Sequence, residues 1–274
     1  MMRSPMRVVV CAKQVLDPDT VDAYAVAGRL EVDPNSGELL ARGIVRLMNA
    51  YDEQAIETAL RIRDAGVDCM ITVVTLGDES SRRMLQSAYA MGADEAVIIS
   101  DAAYDDCDGL AIAKALSQAI DKLDGADLVL CGREASDDDQ GVVGPALSEL
   151  LGASFASIAR NVAVESDETL HVTRVTLDGD EIVALALPAL VTVSNEVGDP
   201  RMPGARAMMQ SRRKSPTVWS AADLGMDAGD VRSHVRQVGL AVREVHGDCE
   251  FMPDASVVEQ AAALATRLRE DGVI

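Results

Sequence analysis

The chain has 274 residues, of which 48% are hydrophobic and only 3% aromatic, and its formal net charge is −20. This length and composition allow one large α/β domain with a tail, or two small domains, around a core of aliphatic side chains. Such an acidic surface argues against nucleic acid or anionic membrane as a partner.

The first half of the chain alternates short apolar runs with helical patterns. Strands are predicted over Arg7–Ala12, Met70–Leu76, Ala96–Ile99 and Asp127–Cys131. Helices are predicted after Asn49, with Asp52 in a capping-box position, and over Ser80–Met91, Gly109–Leu123 and Val142–Leu151. The polar segment Asp17–Gly43 is expected to be a long loop or a small hairpin. Crossovers of this length indicate a parallel sheet with helices on both faces.

The second half begins with a hairpin pattern. Leu170–Leu177 and Glu181–Leu187 are predicted strands joined by Asp178-Gly179-Asp180, and Ala189–Val193 is a further strand. We expect these late strands to be an antiparallel extension of the sheet. The predicted fold class is therefore α/β, with three layers, a mostly parallel sheet and an antiparallel extension.

The C-terminal region differs in character from the rest. Residues 195–231 are predicted to be irregular, and a terminal helix carries Val257, Ala261, Leu264 and Leu268 on one face. We divide the chain into an α/β domain, residues 1–219, and a C-terminal arm, residues 220–274, that docks on a partner. Packing of the terminal helix back onto its own domain remains the alternative.

Signatures of catalysis and of metal binding are absent from the sequence. It contains no GxGxxG, GxxxxGK[ST], HExxH or GxSxG, and its three histidines lack metal-ligand spacing. The five cysteines are widely spaced and include no CxxC. The N-terminal apolar run is too short for a signal peptide, and no run reaches the roughly 18 apolar residues of a membrane helix. We expect a cytoplasmic binding or relay protein without a metal site.

Four segments lie where an open α/β sheet binds ligands, beyond the carboxyl ends of strands. They are Cys11–Lys13, Asn49–Asp52, Thr75–Gly77 and Gly132–Gly144. The last leads into a helix, whose free N-terminal amides can hold a phosphate. Asp137, Asp138 and Asp139 would repel a phosphate unless they point away, so an acidic helix-capping loop is the alternative.

Five longer stretches follow one another in the order and spacing of a known family. They are Val8–Asp17, Met48–Asp64, Ala88–Asp101, Asp127–Gly152 and Leu187–Lys214. In these stretches, and so along nearly its whole length, the sequence resembles electron-transfer flavoprotein beta subunits. The N-terminal motif, the Cys-Gly-Arg-Glu start of the loop and the long tail are more similar to the anaerobic, electron-bifurcating branch than to the mitochondrial type.

The resemblance implies an electron carrier rather than an ordinary enzyme. Such subunits pair with an alpha subunit that carries most contacts to FAD, and the heterodimer relays electrons between dehydrogenases and acceptors. The beta chain itself holds AMP, or a second FAD in members that oxidise NADH and bifurcate electrons. The first domain, residues 1–219, would then be the nucleotide-binding domain, and the arm would dock on the alpha chain.

The resemblance also implies the binding residues. The nucleotide contacts fall on Cys11, Ala12, Asn49, Tyr51, Asp52, Thr75, Gly77, Gly132, Arg133, Ala135, Asp137, Asp139, Gln140, Gly141, Val142, Val143 and Gly144. The loop departs from the family pattern at two positions. Gln140 replaces a small hydroxyl or thiol residue, and Val142 replaces a glutamine and cannot bond a phosphate through its side chain. Both AMP and FAD stay open.

Residues 200–209 resemble the loop with which the family recognises dehydrogenases. The residues carried over are Arg201, Met202, Ala205, Met208 and Met209. Ala205 stands where the family commonly has an anchoring leucine, which leaves the partner open. Five cations between Arg201 and Lys214 form a basic patch that suits an acidic partner, although solvated charge near a subunit interface is the alternative.

Two other functions are considered. One is a stand-alone adenine-nucleotide-binding protein of the universal-stress type, which would have a glycine-spaced loop leading into a Ser/Thr strand. The other is an ATP-pyrophosphatase-type synthetase, which would have an SGGxDS-like loop after the first strand. The sequence shows neither loop.

Overall fold

The computed structural model describes residues 4–105, 107–227, 230–235, 237–242, 249–252 and 256–274. In these ranges there are eleven strands and seven α-helices. The strands are β1 Met6–Cys11, β2 Gln14–Leu16, β3 Arg46–Met48, β4 Cys69–Leu76, β5 Glu95–Ile99, β6 Leu128–Gly132, β7 Ser154–Ser166, β8 Thr169–Thr176, β9 Gly179–Ala186, β10 Ala189–Val193 and β11 Thr217–Trp219. The helices are α1 Pro18–Val26, α2 Ala50–Asp64, α3 Ser81–Met91, α4 Gly109–Lys122, α5 Val143–Leu151, α6 Ala205–Ser211 and α7 Val257–Glu270.

Nine of the strands form one sheet, in the order β11-β5-β4-β1-β6-β10-β7-β8-β9. The pairings from β11 to β7 are parallel, and those of β8 with β7 and with β9 are antiparallel. The predicted class, a mostly parallel α/β sheet with an antiparallel extension, is confirmed. β10 corrects one detail, because it lies within the parallel region between β6 and β7. All five of its residues are buried, as expected for a strand covered on both faces.

Alternation along β1 divides the core between the two faces of the sheet. Val8 and Val10 point into the cluster formed with α2 and α3, whereas Val9 and Cys11 point into the cluster formed with α4 and α5. The period of two along a strand produces this division, since successive side chains point to opposite faces. The helices therefore cover both faces of the sheet, as the sequence predicts.

Two elements depart from the expectations drawn from the sequence. Pro18–Val26 is a helix, where a loop or hairpin is predicted, and within the rest of Asp17–Gly43 the one antiparallel bridge joins Val32 and Leu39. No residue of this helix is buried, so it has no apolar stripe to reveal it. Ser154–Ser166 is a strand of 13 residues that the sequence analysis does not predict. Its alternation is broken near Ile158, which has a positive φ of 57°.

The region after residue 195 is more ordered than expected. It contains α6 and β11, and β11 extends the parallel sheet at the edge next to β5. Ala221, Leu224 and Met226 then pack into the core beside α4. Parts of the predicted arm, residues 228–229, 236, 243–248 and 253–255, lie outside the described residues.

Helix α7 has no buried residue. It begins with a capping box, in which Ser256 and Glu259 bond each other's backbone amides. Its apolar residues Val257, Val258 and Leu264 are exposed. Within the described ranges, no helix is both long and apolar enough to cross a bilayer.

Candidate functional site

The sheet changes direction between β1 and β6. From β1 the chain moves outward to β4 and β5, and it then returns to place β6 on the other side of β1. Loops after such neighbouring strands diverge and leave a crevice, which is where doubly wound folds bind ligands. Cys11 and Cys131 are register partners at these strand ends, so Ala12 and Gly132 flank the crevice.

A buried carboxylate of α2 joins the two strand ends. Asp52 accepts a hydrogen bond from the backbone N of Lys13 at 2.8 Å and one from the backbone N of Gly132 at 2.9 Å. Burial raises the pKa of Asp52 to about 7, although both amide hydrogen bonds act to lower it. This contact corrects the capping-box prediction, because the carboxylate is used between elements and not at the start of its own helix.

Asn49 also departs from its predicted role. It occupies the position before α2, but its side chain makes no capping hydrogen bond. Its Nδ2 instead donates to the carbonyl oxygen of Glu134 at 2.9 Å, and its Oδ1 accepts from the backbone N of Ser136 at 3.3 Å. The side chain is buried, so both bonds are protected from water. Asn49 therefore holds the first part of the loop Gly132–Gly144.

Two glycines of this loop are required by close packing. A Cβ at Gly132 would lie 2.5 Å from Asp52 Oδ1 and 2.7 Å from Tyr51 Cβ. A Cβ at Gly144 would lie 2.6 Å from Thr192 Cγ2. Neither position can accept a larger residue without displacing its neighbours, so glycine lets α2 and β10 approach the loop.

Lys13 neutralises part of the acidic run. Its Nζ lies 2.7 Å from Asp137 Oδ1 and 3.5 Å from Asp138 Oδ2. Asp139 is exposed and adopts a positive φ of 48°, with its amide bonded to the carbonyl of Ala135 at 2.9 Å. Two of the three carboxylates are therefore already paired with a cation, which weakens the electrostatic objection to an anion at this loop.

The start of α5 offers free hydrogen-bond donors. Within the described residues, the backbone amides of Gly141, Val142, Val143 and Gly144 have no acceptor, and no side chain caps the helix. The side chain of Val142 lies against Gly109, so this position can contribute only its backbone. Four unpaired amides and the positive end of the helix dipole are suited to a phosphate. Gln140 is exposed beside them.

The remaining predicted residues lie at the ends of β1, β4 and β6 and in the first turn of α2. Thr75, the penultimate residue of β4, is fully buried, and its hydroxyl has no partner among the described residues. Gly77 follows that strand, and Ala12 bonds the carbonyl of Val74 at 2.9 Å. The guanidinium of Arg133 lies 5.6 Å from the ring centre of Tyr51 and also pairs with Glu134 at 2.8 Å.

A cavity of about 260 Å³ opens beside the loop, at the ends of β6 and β10 and the start of α5. Its lining consists of Arg133, Glu134, Gly141, Pro145, Phe155, Ser157, Ile158 and Thr192. Five of these residues, Pro145, Phe155, Ser157, Ile158 and Thr192, are not marked by the sequence analysis. Only the broken alternation around Ile158 could have drawn attention to them.

The predicted partner-recognition residues lie apart from the crevice. Arg201 bonds Glu57 and Asp64, which lie further along α2 than Asp52. Met202 is 92% exposed, Met209 is 70% exposed, and Met208 and Ala205 are also exposed. The structure thus brings Asn49, Tyr51 and Asp52 to the loop Gly132–Gly144 and presents the predicted recognition residues on a separate surface.

Comparisons with known proteins match most of the length of the chain to one family. Residues 39–224 match the family model described as "Electron transfer flavoprotein domain". The chain is 32% identical to "Caffeyl-CoA reductase-Etf complex subunit CarD" of Acetobacterium woodii, covering 98% of this chain and 100% of that protein. It is 33% identical to "Electron transfer flavoprotein subunit beta" of Clostridium acetobutylicum with the same coverage. It is 36% identical to the protein so named in Thermoanaerobacterium thermosaccharolyticum, covering 82% of this chain and 83% of that one.

Proposed function

The chain belongs to the electron transfer flavoprotein family, and on that basis we propose that it is the beta subunit of a heterodimer that relays electrons. The alpha subunit would hold most of an FAD, and dehydrogenases and acceptors would exchange electrons with the complex. A flavin supplies one- and two-electron chemistry that side chains lack. The role of this chain would be to bind and orient the nucleotide and to shield it from water. The chain would then be an electron carrier, unless a second FAD bound to it oxidises NADH.

We propose an adenine nucleotide, AMP or a second FAD, at the crevice between β1 and β6. The observation that carries this proposal is the set of four amides at the start of α5 that have no acceptor among the described residues, beside a lysine whose one positive charge lies between two of the three carboxylates. The amides would bond phosphate oxygens, and Gly132 would let α2 pack closely against the loop that carries them. Asn49 and Asp52 would act by holding the loop in place.

The nucleotide can be identified directly. This chain would be purified with its alpha partner, the complex denatured, and the released nucleotides quantified by chromatography. One FAD and one AMP per heterodimer would indicate a simple relay. Two FAD and no AMP would indicate that this chain takes part in flavin chemistry with NADH. A colourless chain that binds ATP alone and pairs with no alpha subunit would overturn the proposal in favour of a stand-alone nucleotide-binding protein.

We further propose that two surfaces contact partners. The arm, residues 220–274, would dock on the alpha subunit through the exposed apolar side of α7. The recognition segment, which we define as residues 200–209, would dock dehydrogenases. Its exposed methionines support this role, because flexible thioether side chains adapt to different partner surfaces.

A further inference from the structure

Arg201 is committed to contacts within the chain. Its Nε donates to Glu57 Oε2 at 2.7 Å, its Nη2 donates to Asp64 Oδ2 at 2.7 Å, and its backbone N donates to Glu57 Oε2 at 3.1 Å. The guanidinium is therefore paired with two carboxylates from one helix. It has little charge left to offer to an incoming partner.

Glu57 is the centre of this arrangement. Its side chain is only 6% exposed, and besides Arg201 it accepts from Arg61 Nε at 2.9 Å. Burial acts to raise the pKa of Glu57, but the hydrogen bonds from Arg201 and Arg61 outweigh burial and keep the pKa below its usual value. The carboxylate is thus ionised at neutral pH and has both oxygens occupied.

Arg61 connects the same helix to the residues just before Arg201. Its guanidinium donates to the carbonyl oxygens of Val197 and Asp199. Glu57, Arg61 and Asp64 are spaced four and three residues apart, so they form one stripe along α2. This stripe fixes residues 197–201, the stretch that leads into the recognition segment.

The other end of the recognition segment is fixed independently. After α6, Lys214 Nζ donates to the carbonyl oxygens of Ala93 at 3.0 Å and Asp94 at 3.1 Å. Ser211, at the end of α6, is buried. The exposed residues Met202, Met208 and Met209 therefore lie between two anchored ends.

We propose that Glu57 is a positioning residue for partner recognition, acting through Arg201 to hold the exposed methionines at one place and orientation. Arg201 is likewise a positioning residue, which holds the segment through contacts inside the chain. The methionines are the residues that contact the partner. The inference rests on the proposed function, because it assigns this segment to docking of a dehydrogenase. It goes further in separating the residues that touch the partner from those that orient the surface.

The first test needs no partner. Hydrogen exchange would be measured on the heterodimer with Glu57→Ala, Glu57→Gln and Arg201→Ala. We expect the amides of residues 202–209 to exchange at least about tenfold faster in Glu57→Ala than in wild type. The increase should be smaller in the other two variants. Exchange rates in β1, β4 and β6 should be unchanged. Arg160→Ala, which breaks an exposed ion pair with Asp180 in β9, is the matched control. Unchanged exchange at 202–209, or faster exchange throughout α2 and the sheet, would overturn the inference.

The second test separates orientation from contact. The probe is a flavin-dependent dehydrogenase that reduces the wild-type heterodimer. Glu57→Ala and Met202→Ala should both raise the KM for the heterodimer about tenfold, but only Glu57→Ala should change the exchange rates. Reoxidation of the reduced flavin by ferricyanide, which requires no docking, should be unchanged in both.

The two possible failures are distinguishable. A wild-type heterodimer that binds flavin but accepts electrons from no dehydrogenase would contradict the proposed function, while the exchange experiment would still decide how the segment is held. A dehydrogenase that reduces wild type and Glu57→Ala with equal KM would refute the role of Glu57 and leave the proposed function intact.

Discussion

Asp52 and Gly132 are joined by a hydrogen bond of 2.9 Å that connects the first turn of α2 to the end of β6. The second oxygen of the same carboxylate accepts from Lys13 at 2.8 Å, at the end of β1. One buried side chain therefore links the backbone at the two strand ends on either side of the crevice. The geometry available to a ligand depends on this residue.

The first prediction concerns pH. The pKa of Asp52 is about 7 in the fold, above its ordinary value of 3.8, so ionisation opposes folding. This carboxyl imposes no penalty below pH 4, and stability is lost as pH rises toward 7 because the unfolded chain ionises first. At about 1.4 kcal/mol per unit, the loss approaches about 4 kcal/mol.

Urea unfolding of wild type and Asp52→Asn between pH 4 and 8 measures this effect. The difference in free energy of unfolding between the two proteins should change by a few kcal/mol across that range, since all other groups cancel. Asparagine should add a constant cost, because its amide group meets one of the two backbone donors. A difference that is constant with pH would contradict the raised pKa.

The second prediction concerns Gly132. The new Cβ in Gly132→Ala would contact Asp52 Oδ1 and Tyr51 Cβ at distances that real structures do not show. We expect the free energy of unfolding to fall by about 2 kcal/mol or more, and we expect the heterodimer to lose its bound nucleotide. Gly204→Ala is the control, because a Cβ there would have no described atom within 4 Å and the residue has an ordinary φ of −71°. Equal unfolding midpoints for the two variants would show that the contact is easily relieved.

The third prediction concerns Thr75. Its hydroxyl is buried and has no partner in the described part of the chain, so Thr75→Val should stabilise the nucleotide-free chain by about 1 kcal/mol. If this hydroxyl is a nucleotide contact, as the family resemblance implies, the same variant should bind AMP more weakly. Calorimetric titration and urea unfolding give the two values. A more stable variant with unchanged affinity would remove Thr75 from the binding residues.

The fourth prediction concerns the C-terminal arm. Removing residues 249–274 should leave the unfolding free energy unchanged, because α7 buries no residue, but should weaken pairing with the alpha subunit. Removing residues 220–274 should also destabilise the domain by several kcal/mol, since Ala221, Leu224 and Met226 pack in the core. Urea unfolding and analytical ultracentrifugation check both effects. A strong loss of stability in the shorter truncation would indicate that α7 packs on its own domain.

The central strands β1, β4 and β6 were predictable because most of their residues are apolar and buried. β1, β4 and β6 are covered on both faces, and continuous runs such as Val8–Cys11 reveal such strands. β7 escaped prediction because its residues are mixed in exposure and its alternation is interrupted at Ile158. The position of β10 also could not be derived, since the hairpin before it does not determine where the chain re-enters the sheet.

The site was predictable in position but not in detail. Strand ends and a glycine-containing loop mark the crevice, because topology alone places them together. The capping roles predicted for Asn49 and Asp52 are wrong, since a residue at a helix start can cap its own helix or bond a distant backbone, and the two uses have the same local sequence. Lys13 was noted only as part of its segment, and its pairing with Asp137 depends on contacts that sequence spacing does not encode.

Helix α2 contributes residues both to the crevice and to the support of the recognition segment. Its first turn carries Asp52 at the crevice, and its later turns carry Glu57 and Asp64, which hold Arg201. A helix of 15 residues is about 22 Å long and resists bending over such a length. It therefore fixes the distance between the recognition segment and the proposed nucleotide. Every redox partner that binds the recognition segment would be at this same distance from the nucleotide.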